Sequence, residues 1–170
     1  MTDEISEMVD QRIGSLIASG VIAPAKKRRK GMNWESKLAY EYVQTFYPNF
    51  PAWFRVSVGP VPGGQNNPLY YKLRRWADII IRMPDHMALI EVKMLAKPDV
   101  VGQLLNYAVL FPQTPMFEKY WSLPVKLKVV CSLTDEVTKK FIESQGIEVE
   151  IWKASNFDAW YEQVILKKNH

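Results

Sequence analysis

The spacing of apolar residues predicts two amphipathic helices in the first part of the chain. The second runs from about Asn33, a good N-cap, to Phe46. The first lies within residues 3–19, and Gly20 to Pro24 end it. Its apolar face consists of Ile5, Met8, Val9, Ile13, Leu16 and Ile17. This face fits the main domain, a second copy of the chain or a partner protein, and the sequence does not distinguish these.

Alternation of apolar and polar positions predicts three strands after these helices. The first covers Phe54 to Val58, and a long polar loop follows from Gly59 to Pro68. The second covers Tyr70 to Arg82, and the third covers Met87 to Met94. Because only the turn of residues 83–86 separates the last two strands, we expect them to form a hairpin.

The rest of the chain alternates between helix and strand signals. We predict a helix from about 98 to 111, a strand from Val125 to Leu133, a helix from Thr134 to Gln145, a strand from Ile147 to Trp152, and a last helix that Ser155 caps and that ends at about Leu166. The complete order is helix, three strands, helix, strand, helix, strand, helix. This order indicates an α/β fold with a mixed central β-sheet flanked by helices.

Length and composition favour a single domain. The chain has 170 residues, of which 48% are hydrophobic, enough for one sizeable core but not two. We therefore divide it into an N-terminal amphipathic helix (1–24), a basic linker (25–31) and one domain (32–170). No stretch approaches the roughly 20 apolar residues of a membrane span, and Met1 opens an acidic segment rather than a leader. The sequence thus predicts a soluble, intracellular, cytoplasmic protein with no membrane partner.

Cysteine and histidine chemistry has little support. Cys131 is the only cysteine in the sequence, so neither an internal disulfide nor a thiolate zinc cluster can form. Of the two histidines, His86 lies in the predicted turn and His170 is the last residue. We therefore expect neither histidine-centred catalysis nor a histidine metal site.

The positive charge of the chain is concentrated in one segment. The 22 basic and 18 acidic residues give a net charge of +4, but without one basic run 17 basic residues face 18 acidic ones. The run consists of Lys26, Lys27, Arg28, Arg29 and Lys30. Such a run binds polyanions such as nucleic acid, and the alternatives are a solvated tether or an import signal.

The predicted hairpin carries charges that packing does not explain. Its second strand contains Glu91 and Lys93 in an otherwise apolar run, and buried charges are costly unless they are paired or bound to a metal ion. Alternation puts both on one face, with the carboxylate and the amine about 7 Å apart. Asp78 lies seven residues before the turn midpoint near residue 85 and Glu91 six after it, so we expect them to be neighbours. Two adjacent carboxylates suit a hard cation such as Mg²⁺, which also binds phosphate oxygens.

These residues resemble the core of a known superfamily. Asp78, twelve intervening residues and Glu91-Val92-Lys93 are similar to the motif of the PD-(D/E)XK nucleases, which have a restriction-endonuclease-like fold. Gln103 and Tyr107 resemble the Gln-x-x-x-Tyr helix of the branch that includes helicase-associated exonuclease domains. The resemblance covers about residues 31–133 and implies a restriction-endonuclease-like core with an extra N-terminal helix.

The resemblance implies a role for each residue of the motif. Asp78, Glu91 and the backbone carbonyl of Val92 would hold Mg²⁺ or Mn²⁺ against the scissile phosphate. Lys93 would orient the attacking water or help to deprotonate it, and its compact ammonium suits this role better than a guanidinium.

Three further candidates flank this motif. Glu35 resembles the acidic residue that archaeal Holliday-junction resolvases have at the start of the preceding helix, where it would support the metal ligands or bind a second metal ion. Gln103 would position Lys93 or a phosphate, with Tyr107 one turn further along the same helix face. The alternatives are a helix N-terminal charge for Glu35 and a core residue for Tyr107.

The implied activity is endonucleolytic hydrolysis of DNA, and RNA stays open as a substrate. Arg74 and Arg75 precede Asp78 and would join the basic run in binding phosphates, with Arg55 and Lys72 extending the same track, unless these four are simple surface cations. Cutting both strands would call for a homodimer, formed through the N-terminal helix. The alternative to an enzyme is a catalytically silent DNA-binding or assembly module of the same fold.

Overall fold

The structure is a computed structural model, and it describes residues 33–60 and 74–167. The predicted N-terminal helix, the basic run at residues 26–30 and the beginning of the second predicted strand lie outside the described residues. The division of the chain at residues 24 and 31, and the dimer contact expected there, therefore stay predictions.

The described residues form a five-stranded sheet with helices on both faces. In chain order the elements are α1 (Trp34–Phe46), β1 (Ala52–Val58), β2 (Arg75–Arg82), β3 (Met87–Leu95), α2 (Val100–Leu110), two 3₁₀-helices (Phe111–Gln113 and Pro115–Tyr120), β4 (Val125–Leu133), α3 (Glu136–Ser144), β5 (Glu148–Ile151) and α4 (Phe157–Trp160), which continues as a π-helix (Tyr161–Leu166). The strand order is β1-β2-β3-β4-β5. The predicted α/β fold with a mixed sheet flanked by helices is confirmed.

The connections explain why the sheet is mixed. β1, β2 and β3 are successive antiparallel neighbours, and a tight turn in which the Met83 N–H donates to the His86 carbonyl joins β2 to β3. β3, β4 and β5 are parallel neighbours. Each parallel step contains a helix, α2 or α3, because parallel strands need a long crossover connection.

Each face of the sheet packs against its own hydrophobic core. One core, termed the α2 core, includes Leu104, Phe111 and Phe117 from α2 and the 3₁₀-helices. The other, termed the α1 core, includes Leu38 and Trp160 from α1 and α4. β3 is the middle strand of the sheet and is buried on both faces, which accounts for its nearly continuous apolar sequence.

Local side-chain contacts fix the ends of two helices. The Asn33 side chain accepts a hydrogen bond from the Ser36 N–H at 3.3 Å, as expected for an N-cap. Asp135 accepts from the Thr138 N–H at 2.8 Å, so α3 begins two residues later than predicted. Gly146 follows this helix with a φ of +75°, a left-handed conformation that glycine adopts at little cost.

Two predictions about helix starts need correction. Ser155 does not cap the last helix, because its N–H and hydroxyl both donate to the carboxylate of Glu41 in α1, at 2.8 and 2.5 Å. A carboxylate is a stronger acceptor than the hydroxyl, so Ser155 acts as a donor, and α4 begins at Phe157. The helix expected from about residue 98 begins at Val100, after Asp99.

The described helices are short. The longest, α1, has 13 residues. Within residues 33–60 and 74–167, no helix is both long and apolar enough to cross a bilayer.

Candidate functional site

The candidate site lies where β2 and β3 separate. The two strands are paired as far as Ile79↔Ile90, and the next residues in this register are Asp78 and Glu91. Beyond that pair, β2 continues only beside β1. The hairpin therefore brings Asp78 and Glu91 opposite each other, as counting from the turn predicts.

The Asp78 carboxylate takes the position of a strand carbonyl. Its Oδ2 accepts a hydrogen bond from the Val92 N–H at 2.9 Å. Because the N–H and C=O of one residue in an extended strand point to the same side, the Val92 carbonyl faces the same gap. Asp78, Glu91 and this carbonyl are termed the acid notch.

Lys93 lies against Glu91. Its Nζ donates to Glu91 Oε1 at 2.7 Å. The predicted separation of about 7 Å is the backbone spacing and is wrong for the charged groups, because the flexible lysine side chain folds back to the carboxylate. The second carboxylate oxygen of Glu91, Oε2, is buried and has no hydrogen-bond partner among the described residues. Such an atom is costly without a ligand.

Glu35 approaches the same strand from the first turn of α1. Its Oε1 accepts from the Met94 N–H at 3.4 Å, and its charge interacts with those of Lys93 and Asp78. Three carboxylates thus share one ammonium group. In the part of the chain that the structure describes, no three acidic, histidine or cysteine side chains come together to hold one metal ion. Glu35 is therefore a neighbour of the acid notch, and its expected role as a support of the metal ligands or as a ligand of a second metal ion stays a prediction.

The crowded acids have shifted pKa values. Burial and then the charge of Asp78 raise the pKa of Glu91 to about 7, against the opposing effect of Lys93. Burial also raises the pKa of Asp78 and of Glu35. Burial disfavours the charged form of Lys93, but the carboxylates, Glu91 above all, outweigh it and raise the pKa of Lys93. The notch therefore holds more negative charge than Lys93 can offset.

Helix α2 contributes Tyr107 and Gln103. The Tyr107 hydroxyl donates at 2.8 Å to the carbonyl of Trp76, beyond the point where β2 and β3 are paired. The same hydroxyl slightly lowers the pKa of Glu91. Burial raises the pKa of Tyr107, so the hydroxyl stays protonated. Gln103 Oε1 is buried without a partner in the described chain. Lys93 donates to Glu91, and no hydrogen bond joins it to Gln103 Oε1. The expected positioning of Lys93 or of a phosphate by Gln103 therefore stays a prediction.

The acid notch fits a Mg²⁺ or Mn²⁺ ion. Its three groups all offer oxygen ligands, and Mg²⁺ commonly takes one or two protein carboxylates together with water and phosphate oxygens. The unpartnered Oε2 of Glu91 is an available ligand atom. Burial and then the charge of Asp78 raise the pKa of Glu91, and a divalent cation bound there would stabilise the ionised carboxylate against both effects.

The predicted phosphate-binding cations are only partly within the described residues. Arg74 is half-buried and Arg75 is exposed at the start of β2, just before Asp78. The charge of Arg75 reaches the Tyr107 hydroxyl. Lys72 and the basic run from Lys26 to Lys30 lie outside the described residues, so phosphate binding by these groups stays a prediction.

A second polar cluster, at β4 and β5, is not predicted from the sequence. Lys128 Nζ lies 3.2 Å from carboxylate oxygens of Glu148 and Glu150 and 3.3 Å from the hydroxyls of Tyr42 and Tyr47. The Tyr42 hydroxyl also donates to Glu150 at 2.5 Å. These five residues are termed the lysine cluster. Its members come from distant parts of the sequence, so no local spacing reveals it.

Comparisons with known proteins find distant structural similarity. No family model matches the chain, and a search of curated proteins finds no match. The chain is similar to a repair endonuclease from Pyrococcus abyssi, with a TM-score of 0.46 and 19% identity over 76% of this chain and 50% of that one. It is similar to the EndoMS–dsDNA2 complex, with a TM-score of 0.47 and 17% identity over 76% and 49%. A protein of unknown function gives a TM-score of 0.46 and 12% identity over 69% and 58%. The chain thus spans about half the length of the first two structures.

Proposed function

We propose that this chain is a metal-dependent nuclease that hydrolyses phosphodiester bonds of DNA as an endonuclease. The acid notch carries this proposal, because two opposed carboxylates meet there and one buried oxygen of Glu91 has no partner in the described chain. An ammonium group lies 2.7 Å from the other oxygen of the same carboxylate. This combination suits a divalent cation and an anionic phosphate bound together.

The metal would be held by Asp78, Glu91 and the Val92 carbonyl. When bound, a divalent cation lowers the pKa of a coordinated water and offsets negative charge on the phosphate. Lys93, charged and in contact with Glu91, would donate a hydrogen bond to the attacking water or to a phosphate oxygen. Its role is therefore to orient and to add positive charge, since the raised pKa of Lys93 keeps it protonated.

Two neighbouring residues would support this arrangement. Glu35 adds negative charge near Lys93 and so contributes to keeping the ammonium ionised. Tyr107 binds the Trp76 carbonyl and thereby holds β2 next to α2, two residues before Asp78. Both would act through the groups that they position.

The test is cleavage of supercoiled plasmid, linear duplex, single-stranded and branched DNA with Mg²⁺, Mn²⁺ or a chelator. We expect metal-dependent cutting by the wild type, including nicking of the plasmid, and its loss in Asp78→Ala and Lys93→Ala. Glu150→Gln, which removes an acid of the lysine cluster, is the matched control and should cut like the wild type. Cutting that survives both substitutions, or that continues in the chelator, would contradict the proposal.

The same samples test the alternative, a catalytically silent DNA-binding or assembly module. Such a module would shift DNA in a gel but leave every substrate intact in both metals. An RNA substrate added to the series decides the substrate class. Cutting of RNA alone would contradict the assignment to DNA while leaving the acid notch as the metal site.

A further inference from the structure

Arg55 in β1 has an unusual backbone conformation beside the acid notch. Its φ is +50°, and no other non-glycine residue within 33–60 and 74–167 has a positive φ. Residues with a Cβ atom rarely adopt this left-handed conformation, because the Cβ then crowds the backbone. Such strain persists where the surrounding structure enforces it, often at functional sites.

Arg55 lies opposite Asp78, and both residues interrupt the alternation of their strands. The register of β1 and β2 is the same on both sides of this pair. Phe54 packs against the α1 core and Val56 belongs to the α2 core, although residues two apart in a strand normally share a face. In β2, Ala77 belongs to the α2 core and Ile79 to the α1 core, although these residues are also two apart, on either side of Asp78. Both strands therefore change the face on which their side chains lie at the position of Arg55 and Asp78. These two residues belong to neither core.

The side chain of Arg55 lies near the acids without pairing with them. Its charge favours the ionised forms of Asp78 and Glu35. Arg55 is nevertheless exposed, and its guanidinium forms no ion pair or hydrogen bond within the described parts of the chain. A cation in this position remains available to a ligand from solution.

An anionic substrate creates a need for such a cation. The carboxylates of the acid notch repel a DNA phosphate, and one metal ion and Lys93 offset this repulsion only at the phosphate that they contact. A guanidinium presents planar donors that match two phosphate oxygens at once.

We propose that Arg55 binds a backbone phosphate of the DNA next to the acid notch, and that the shared rotation of β1 and β2 places its guanidinium there. This inference rests on the proposed nuclease function, which supplies the DNA. Arg55 is then a substrate-binding residue next to the acid notch, whereas the basic run at residues 26–30 is a separate candidate for DNA binding.

Salt-dependent DNA binding tests this proposal. Anisotropy of a fluorescent duplex is measured over a salt series in the Lys93→Ala background, so that the DNA stays intact. Arg55→Ala should weaken binding about tenfold and reduce the slope of log affinity against log salt by about 1, the effect of losing one phosphate contact. Lys140→Ala, which removes an exposed charge of α3, should leave the slope unchanged.

A glycine variant separates the charge from the backbone. Arg55→Gly relieves the left-handed strain, so it should unfold at the same or a higher temperature than the wild type while losing binding like Arg55→Ala. Arg55→Lys should keep the slope, because it keeps the charge. A wild-type slope and affinity in Arg55→Ala would overturn the proposal.

The outcomes also distinguish this proposal from the nuclease function. If Asp78→Ala abolishes cutting but Arg55→Ala binds DNA like the wild type, the nuclease stands and phosphate binding by Arg55 is wrong. If no substrate is cut but Arg55→Ala still reduces the slope, the phosphate contact stands and the nuclease is wrong. A wild-type chain that binds no DNA contradicts both.

Discussion

Two lysines of this sheet lie among acids, but they differ in how far the hydrogen bonds and the charges of the acids are satisfied. In the lysine cluster, Lys128 has four partners within 3.3 Å, and its acceptor Glu150 is also bound by the Tyr42 hydroxyl. In the acid notch, Lys93 donates to Glu91, whose other oxygen is buried with no partner in the described chain. Both lysines belong to adjacent strands of the same sheet, so the strand environment alone does not explain the difference.

The contrast shows how a structural ion pair differs from a binding site. A network in which the polar groups satisfy one another stabilises the fold and leaves little for a ligand to gain. A buried carboxylate with an unpartnered oxygen and a raised pKa is costly until a cation arrives, whereas solvent offsets the excess charge of exposed carboxylates such as Glu148. Substitutions in the two clusters should therefore affect different properties of the protein.

The largest effect is expected for cleavage after loss of a metal ligand. Asp78→Asn should lower the cleavage rate by about 10³-fold or more, because it removes a charged ligand while keeping the shape of the side chain. Initial rates on plasmid DNA measure this. Glu150→Gln in the lysine cluster should keep the rate within about twofold. Equal losses in the two variants would remove the distinction between the clusters.

The lysine cluster should instead determine stability. Lys128→Met removes the cation from the exposed carboxylate of Glu148, the partly exposed carboxylate of Glu150 and the buried Tyr42 hydroxyl, and we expect a loss of about 1 kcal/mol in the free energy of unfolding. Urea denaturation measures this change. The cleavage rate of the folded fraction should stay close to that of the wild type. A Lys128→Met protein that is as stable as the wild type but inactive would show that the lysine cluster, and not the acid notch, takes part in catalysis.

The pH dependence of stability should report the excess charge of the notch. The pKa of Glu91 rises from 4.5 in the unfolded chain to about 7 in the fold, so folding favours its protonated form. The resulting stabilisation is complete below pH 4.5 and is lost as the pH rises through about 7, an effect of about 3 kcal/mol. Urea denaturation in a chelator at pH 5 and pH 8 should show this decrease.

Glu91→Gln is the control for that measurement. It should be less sensitive to pH over the same interval, since the group that takes up the proton is gone. A decrease in Glu91→Gln as large as that of the wild type, or larger, would contradict the assignment of the titration to Glu91.

The smallest effect is expected at Tyr107. Tyr107→Phe removes the hydrogen bond to the Trp76 carbonyl and should cost about 1 kcal/mol of stability. Because Tyr107 acts by positioning β2 and has only a minor effect on the pKa of Glu91, cleavage should fall less than tenfold. A loss as large as that of Asp78→Asn would mean that the hydroxyl takes part in the reaction itself.

The hairpin could be predicted because its determinants are local. The apolar runs and the short turn define the register, and the register places Asp78 opposite Glu91. Helix α1 and strand β4 were likewise predicted within one residue, because Asn33 and the apolar run from Val125 to Leu133 mark them.

Features that depend on tertiary contacts could not be predicted in this way. Ser155 has the chemistry of a cap, but Glu41, far away in sequence, binds it more strongly. The contact between Lys93 and Glu91 depends on a side-chain rotamer, which backbone periodicity does not determine. The rotation at Arg55 appears only when the faces of both strands are compared.

Calorimetric titration of Mn²⁺ tests the central claim most directly, because it asks whether the acid notch holds a metal ion. The wild type should bind Mn²⁺ at pH 8, more weakly at pH 5, where the Glu91 carboxylate is protonated. Glu91→Gln should lose this binding, whereas Glu150→Gln should retain it. Unchanged Mn²⁺ binding in Glu91→Gln, or no binding by the wild type at pH 8 even with uncut DNA present, would contradict the account.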